Sequence, residues 1–383
     1  MERIKGLMAG AALVSSLLFL FSPAADACST FLMRDGRELL FGRNFDFFLD
    51  GGYVMTNQRG LAKQALIPNS RNPAQWISKY GSVTFNQVSK EYPYGGMNEA
   101  GLVVENMWLD TGKYLVPDGR APIAELPWIQ YQLDNCATVG EVIATDGIIR
   151  ITQASAPIHF LVADRAGDAA TIEFIDGRTV VHRGADLAVR ALTNDTYDES
   201  MEYLKSRKGF GGTKEFRSTN ESLDRFVTIV SMLGDRGAAG RGKATNRAFQ
   251  ILDAVAQGKA TVWSAVYDMK RQRITFRSVG NRDLRSVDLK KFDFGCAAPS
   301  LAFDIEAPAK GDITRRFASY NTELNRGTVK RTFARYHENN FMMGVTDEMQ
   351  EYLARFPEML ECSGEKPAGA GRTSETNAPR GGR

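Results

Sequence analysis

Apolar residues run from Leu7 to Phe21 without a single charge, and beyond them the chain breaks into strand-length stretches separated by turn residues. Cys28 to Met33 and Glu38 to Phe47 flank Arg34-Asp35-Gly36-Arg37, and an Asp-Gly pair between two apolar stretches predicts a β-hairpin. His159 to Ala163, Ala169 to Ile175 and Arg178 to His182 are β-rich, and Arg165-Ala166-Gly167-Asp168 and Asp176-Gly177 divide them. They predict a three-stranded antiparallel meander. A later hairpin is expected from Thr261 to Tyr267 and Arg273 to Val279, joined by the polar link Asp268 to Gln272.

Helical spacing falls between these groups. Ala124 to Cys136 has helix length with Pro127 placed near its first turn, and Asp195 to Lys205 and Thr245 to Ala256, the latter followed by Gly258, read as amphipathic helices. Thr346 to Leu360 is another, with Thr346 as N-cap and Met349 three residues later in place of the acidic partner of a capping box. Strand groups alternating with helix groups imply a layered α+β domain. From Glu365 to Arg383 apolar side chains almost vanish, and a disordered tail is expected there. The domain is expected to fill residues 28–364, and no internal repeat is present.

The amino terminus changes the picture. Glu2, Arg3 and Lys5, the uncharged run that follows, and a small-residue exit ending in Ala25-Asp26-Ala27 make a cleavable export signal over residues 1–27. The run is shorter than the roughly 20 apolar residues that span a bilayer. A soluble periplasmic or secreted product is therefore expected, without stable membrane insertion after processing. A lipoprotein signal acylating Cys28 is the rival, although the aliphatic residue usual three places before such a cysteine is missing. Lys plus Arg number 48 against 45 Asp plus Glu, too even a balance to argue for nucleic acid.

Cutting after Ala27 makes Cys28 the first residue. A cysteine at a chain terminus carries a thiol that attacks a carbonyl and a free α-amine that takes and returns the proton. No histidine is then required. Arg43 lies across the first hairpin, and a fixed positive charge near the pair favours thiolate over thiol and free amine over ammonium. Of the other cysteines, Cys136 lies in an apolar helical run and reads as a buried free thiol. Cys296 and Cys362 are the candidates for a bridge, whose separation sequence does not give. Three scattered histidines and no C-x-x-C offer no zinc site, and no cofactor is implied.

Five segments then come in order: Cys28-Ser29-Thr30-Phe31, Phe41-Gly42-Arg43-Asn44-Phe45-Asp46, Gly96-Met97-Asn98-Glu99-Ala100-Gly101-Leu102, Leu192-Thr193-Asn194 and Ser222-Leu223-Asp224-Arg225-Phe226. Together they resemble the signature segments of the choloylglycine hydrolase family, the linear-amide C–N hydrolases that include bile salt hydrolases and penicillin V acylases. The resemblance implies a four-layer αββα sandwich of two antiparallel sheets, the N-terminal-nucleophile hydrolase fold. It further implies Cys28 as nucleophile and base, Arg43 as its tuner and Asp46 as the holder of the α-amine. Asn98 and Asn194 would surround the oxyanion, with the Asn194 side-chain amide the preferred donor, and Arg225 would complete the polar site.

Each assignment has a local competitor. Arg43 also reads as a surface charge at a strand end. Asp46 follows Arg43 by three positions, so both reach one site only where the strand ends or bulges. Asn194 before Asp195-Thr196 also reads as a turn or cap residue, and Asn98 sits among glycines where asparagines serve turns. The aromatic and methionine-containing segments Phe45 to Tyr53 and Tyr92 to Trp108 supply either a pocket for an apolar acyl group or core. The expected partner is a small N-acyl amide: penicillin V, a conjugated bile salt or an acylated homoserine lactone. Transfer of the acyl group to an amine or alcohol, and a non-catalytic lipid-anchored binding protein, are the alternatives. Assembly into a homo-oligomer is left open.

Overall fold

The computed structural model describes residues 28–67, 70–235 and 244–363. The expected export signal and the expected tail lie outside the described residues. The first hairpin forms as the turn residues require: Ser29–Asp35 pairs with Glu38–Asp46, and Gly36 takes a positive φ of 57° at the reversal, where a side chain would be strained. Phe31 lies directly opposite Gly42, and a Cβ on Gly42 would stand 2.3 Å from the Phe31 ring. Glycine here lets an aromatic ring lie flat across the neighbouring strand.

That hairpin forms part of a seven-stranded sheet ordered Ala191–Leu192, Ser29–Asp35, Glu38–Asp46, Thr261–Asp268, Arg273–Ser278, Arg285–Asp288, Gly311–Asp312. Only the Gly311–Asp312 edge runs parallel to its neighbour. The expected meander appears as Ile158–Ala163, Ala169–Ile175 and Arg178–Arg183 at one side of a nine-stranded antiparallel sheet. Val103–Trp108, Tyr92–Asn98, Ser82–Ser89 and Tyr53–Asn57 continue that sheet toward Leu301–Asp304 and Ala318–Ser319.

The inner faces of the two sheets meet in an aromatic layer. Trp263 of the first sheet stacks on its neighbour Phe45, ring centroids 4.0 Å apart, and on Phe85 of the second sheet at 5.7 Å. Helices Ser222–Gly234 and Ala244–Ala254 cover the outer face of the seven-stranded sheet, and Tyr197–Lys205 packs on the first of them. On the other side Glu125–Asn135 and Thr322–Glu338 cover the nine-stranded sheet, with Asp347–Arg355 laid against the latter. The αββα order expected from the resemblance is the observed one. No described helix is long and apolar enough to cross a membrane.

Element ends follow local chemistry. The helix expected from Asp195 starts at Tyr197, because Thr196 and Glu199 form a reciprocal capping box. Thr346 caps its helix by accepting from Met349 N, as expected, and Pro357 ends the α-helix at Arg355, leaving a 3₁₀ turn at Phe356–Met359. Cys296 and Cys362 are joined in a disulfide, and the short strand Glu361–Cys362 pairs with Leu61–Ala62. The C-terminal helices are thereby fastened at their far end. Cys136 is buried and free, and burial pushes its thiol up to about 12.

Candidate active site

Cys28 opens the strand Ser29–Asp35 and is buried, its thiol directed to the carbonyl oxygen of Asp46 at a sulfur–oxygen distance of 3.7 Å. Asp46 is the last residue of its strand, and the pairing with Thr261–Asp268 shifts register between Thr261 and Trp263. The strand end and this irregularity bring Asp46 beside Cys28 although Arg43 occupies the strand three residues earlier. The Asp46 carboxylate accepts from the Thr261 hydroxyl through Oδ1, while Oδ2 is buried and has no hydrogen-bond partner among the described residues. Burial pushes this carboxyl up to about 6, against the opposing pull of the Thr261 hydrogen bond and of Arg225 and Arg43.

Arg225, on the first turn of Ser222–Gly234, is fully buried and reaches back into the sheet. Its Nη1 donates to Cys28 O at 2.7 Å and to Ser29 Oγ at 2.6 Å, and its Nη2 donates to Asn194 Oδ1 at 2.9 Å. The Nε donates to Asn220 O at 3.1 Å. Burial holds its pKa below the ordinary value, with Asp46 and Cys28 opposing the effect. Asn194 follows the edge strand Ala191–Leu192. Its backbone N donates to Ser222 Oγ at 2.8 Å and its Nδ2 to Trp108 O at 2.8 Å. Acceptance from Arg225 orients the Asn194 amide with nitrogen away from the guanidinium, which resolves which end of the side chain is the donor.

Arg43 lies opposite Thr30 in the hairpin and is fully buried, not a surface charge. Its Nε stands 3.1 Å from Glu105 Oε2, its Nη2 donates to Asn106 Oδ1 at 3.4 Å, and its Nη1 has no hydrogen-bond partner among the described residues. Glu105 also accepts from the Tyr267 hydroxyl, and burial pushes its carboxyl up to about 7. Sequence reasoning missed Glu105. A carboxylate set among apolar residues in Val103–Trp108 was the only local hint, and the pairing with Arg43 follows only once the two strands are placed face to face.

Asn98 is not brought to this group. Its Nδ2 donates to Leu133 O at 2.8 Å and Cys136 O at 2.7 Å, and its Oδ1 accepts from the backbone N of Ala100 and Leu102. Every polar valence of the amide is spent on a tight turn and on the last carbonyls of helix Glu125–Asn135. The expectation of an oxyanion role for Asn98 is corrected to a turn and helix-end clasp. Trp108, in the segment read as pocket or core, is the residue that meets Asn194 instead.

Cys28 and Asp46 open onto a cavity of about 770 Å³. Phe45, Phe47, Tyr94 and Trp108 line it from the two sheets, so both aromatic segments contribute pocket as well as core. Phe333, Tyr336, Phe341, Met342, Val345 and Leu353 wall it from the C-terminal helical pair, and the Phe341 ring lies 5.9 Å from that of Trp108. Gln64, Ser70, Glu125, Thr152 and Gln153 add polar groups to the same lining. Among the described residues no cluster of histidine, cysteine and carboxylate side chains could hold a metal.

Comparison with known proteins accords with this geometry. The sequence model of "linear amide C-N hydrolases, choloylglycine hydrolase family" matches residues 28–239. A penicillin V acylase of Pectobacterium atrosepticum is 29% identical over 269 residues, which are 60% of this chain and 71% of that protein. The penicillin V acylase structure from Agrobacterium tumefaciens superposes with a TM-score of 0.68 at 26% identity, over 77% of this chain and 98% of that one. A conjugated bile acid hydrolase from Clostridium perfringens shares the fold, with a TM-score of 0.60 at 16% identity over 74% of this chain and 98% of that one. With a family model matched across more than half its length, the chain belongs to the choloylglycine hydrolase family of linear amide C–N hydrolases.

Proposed function

We propose that this protein is an exported amidase that cleaves N-acyl amides through a thioester at Cys28, freed as the first residue by removal of residues 1–27. The observation that carries the reading is the pair formed by Cys28 and Asp46 at the cavity wall. A buried carboxylate oxygen without a hydrogen-bond partner beside the nucleophile is costly unless a cation completes it. Cleavage before Cys28 supplies that cation, the α-ammonium. Asp46 then holds the amine in place.

In this scheme the Cys28 α-amine takes the thiol proton and the sulfur attacks the amide carbon. The Asn194 Nδ2 and a backbone N–H donate to the oxyanion. The ammonium passes its proton to the leaving nitrogen, the C–N bond breaks and the acyl group stays on sulfur. Water, deprotonated by the same amine, then attacks the thioester and releases the carboxylic acid. Arg43 and Arg225 keep positive charge around the thiolate, and the apolar walls take the acyl group. The relatives named penicillin V acylase support penicillin V as the first substrate to assay, beside a glycine-conjugated bile salt and a long-chain acyl homoserine lactone.

The test is direct. Mass spectrometry of the mature protein should find an unmodified Cys28 terminus, and Cys28→Ala should abolish turnover of every amide in that panel with its melting temperature retained. Turnover by a chain beginning elsewhere, or by the alanine variant, would remove the nucleophile.

A further inference from the structure

One buried histidine–carboxylate pair that the scheme above leaves unused stands behind Asn194. His159, from the strand Ile158–Ala163, and Glu173, from Ala169–Ile175, are both buried and belong to the nine-stranded sheet. His159 Nε2 lies 2.8 Å from Thr193 O, and its Nδ1 lies 3.0 Å from Glu173 Oε1. Both ring nitrogens therefore face acceptors. Glu173 also accepts from Tyr197 N, at 3.0 Å through Oε1 and 3.2 Å through Oε2. His182 Nε2 stands 3.6 Å from the Glu173 Oε2 and 3.8 Å from Asp198 Oδ1.

The five residues Thr193 to Tyr197 are thus held at both ends by one histidine–glutamate pair, and Asn194 sits between the ends. The opposite side of the segment is fixed by helix Ser222–Gly234, through Ser222 Oγ on Asn194 N and Arg225 on Asn194 Oδ1. Polar groups withdrawn from water cost more than well-packed apolar ones and so need another reason to be there. We infer that His159 and Glu173 are positioning residues that set the Asn194 amide for the oxyanion, a clamp from the second sheet onto a residue carried by the first. This rests on the proposed role of Asn194.

The experiment separates oxyanion support from the nucleophile. Mature wild type, His159→Phe, His159→Gln and Glu173→Gln are compared in hydrolysis of penicillin V, or of whichever panel amide the wild type turns over, and in alkylation of Cys28 by iodoacetamide. Alkylation displaces iodide at a saturated carbon and forms no oxyanion. With the clamp removed, kcat should fall about tenfold or more in His159→Phe and Glu173→Gln while KM changes less than about twofold, a part of the hundredfold or greater loss that deleting an oxyanion donor brings. His159→Gln, which keeps a donor toward Thr193 O, should recover part of the loss. Alkylation rates should stay within about twofold throughout. An unchanged kcat overturns the inference, and so does alkylation falling in step with kcat, which marks a general distortion of the site. If His159→Phe does not fold, the isosteric Glu173→Gln gives the same reading. Wild-type enzyme that keeps its activity after Cys28 is alkylated defeats the proposed function instead.

Discussion

The guanidinium of Arg225 donates to the carbonyl oxygen of Cys28 at 2.7 Å, so the residue at the start of the hairpin is held by a helix far along the chain. The same side chain orients Asn194, and one planar fork serves both. Lysine keeps the charge but cannot span these acceptors. Arg225→Lys should therefore lower kcat about a hundredfold or more, close to the loss of an oxyanion donor. Steady-state kinetics with a circular dichroism control checks this, and a kcat within threefold of wild type would deny the fork its role.

The two asparagines should part company. Asn194→Ala is expected to reduce kcat by roughly a hundredfold or more with little change in melting temperature. Asn98→Ala strips donors from two helix-end carbonyls and an acceptor from two turn amides, and should cost about 2 to 4 kcal/mol of stability while the folded fraction keeps its kcat. Denaturant titration beside kinetics reads both.

Acid should weaken the grip on the α-amine. The Asp46 carboxyl, pushed up to about 6 by burial, takes a proton as pH falls through that value and loses the charge that the proposed scheme sets against the α-ammonium. In the mature enzyme as proposed, the α-ammonium would draw the carboxyl back toward its usual range. An acid limb in kcat/KM at or somewhat below pH 6 is expected, and Asp46→Asn should remove the limb together with most of the activity. A flat profile between pH 4.5 and 7 would contradict this.

Glu105 predicts a slope in stability rather than in rate. Its carboxyl is raised from 4.5 to about 7, chiefly by burial and against the pull of Arg43 and Tyr267. Between those values the unfolded chain has released the proton that the folded chain keeps, so its stabilising contribution is complete below pH 4.5 and is lost as pH rises through 7. The loss amounts to about 3 kcal/mol at most. Glu105→Gln leaves Arg43 without its counter-ion at every pH, a roughly constant offset, but lacks the slope. Parallel stability curves for the two proteins from pH 4.5 to 8 would count against it.

Where one local signal decided the backbone, the chain was legible. Asp35-Gly36 and Asp176-Gly177 gave their hairpins, and Thr346 gave its cap, because each turn or cap depends on residues within four positions. Helix Thr322–Glu338 went unread for the opposite reason. Its buried face includes Asn325, Thr328 and Thr332; Thr332 Oγ1 bonds to Gln87 O of the second sheet and Asn325 Nδ2 to Ala354 O of the next helix, while Thr328 Oγ1 bonds back to Leu324 O of its own helix. Polar residues that satisfy one another across long separations erase the apolar rhythm that marks a helix. The site shows the same division. Cys28, Asp46, Asn194 and Arg225 come together as expected, whereas Asn98 has the local composition of a turn and serves one. The acid partner of Arg43 required knowledge of which strand faces which.

The wall made by Phe333, Tyr336, Phe341 and Met342 comes from a stretch beyond residue 239, where the family match stops, and a covalent staple anchors that stretch near Gly60. One wall of the chamber and the Cys28–Asp46–Arg225 group thus come from different lengths of one polypeptide. Substitutions in the later stretch would recut that wall and leave Cys28, Asp46 and Arg225 untouched, so under the proposed scheme related chains can diverge in diet without relearning their chemistry.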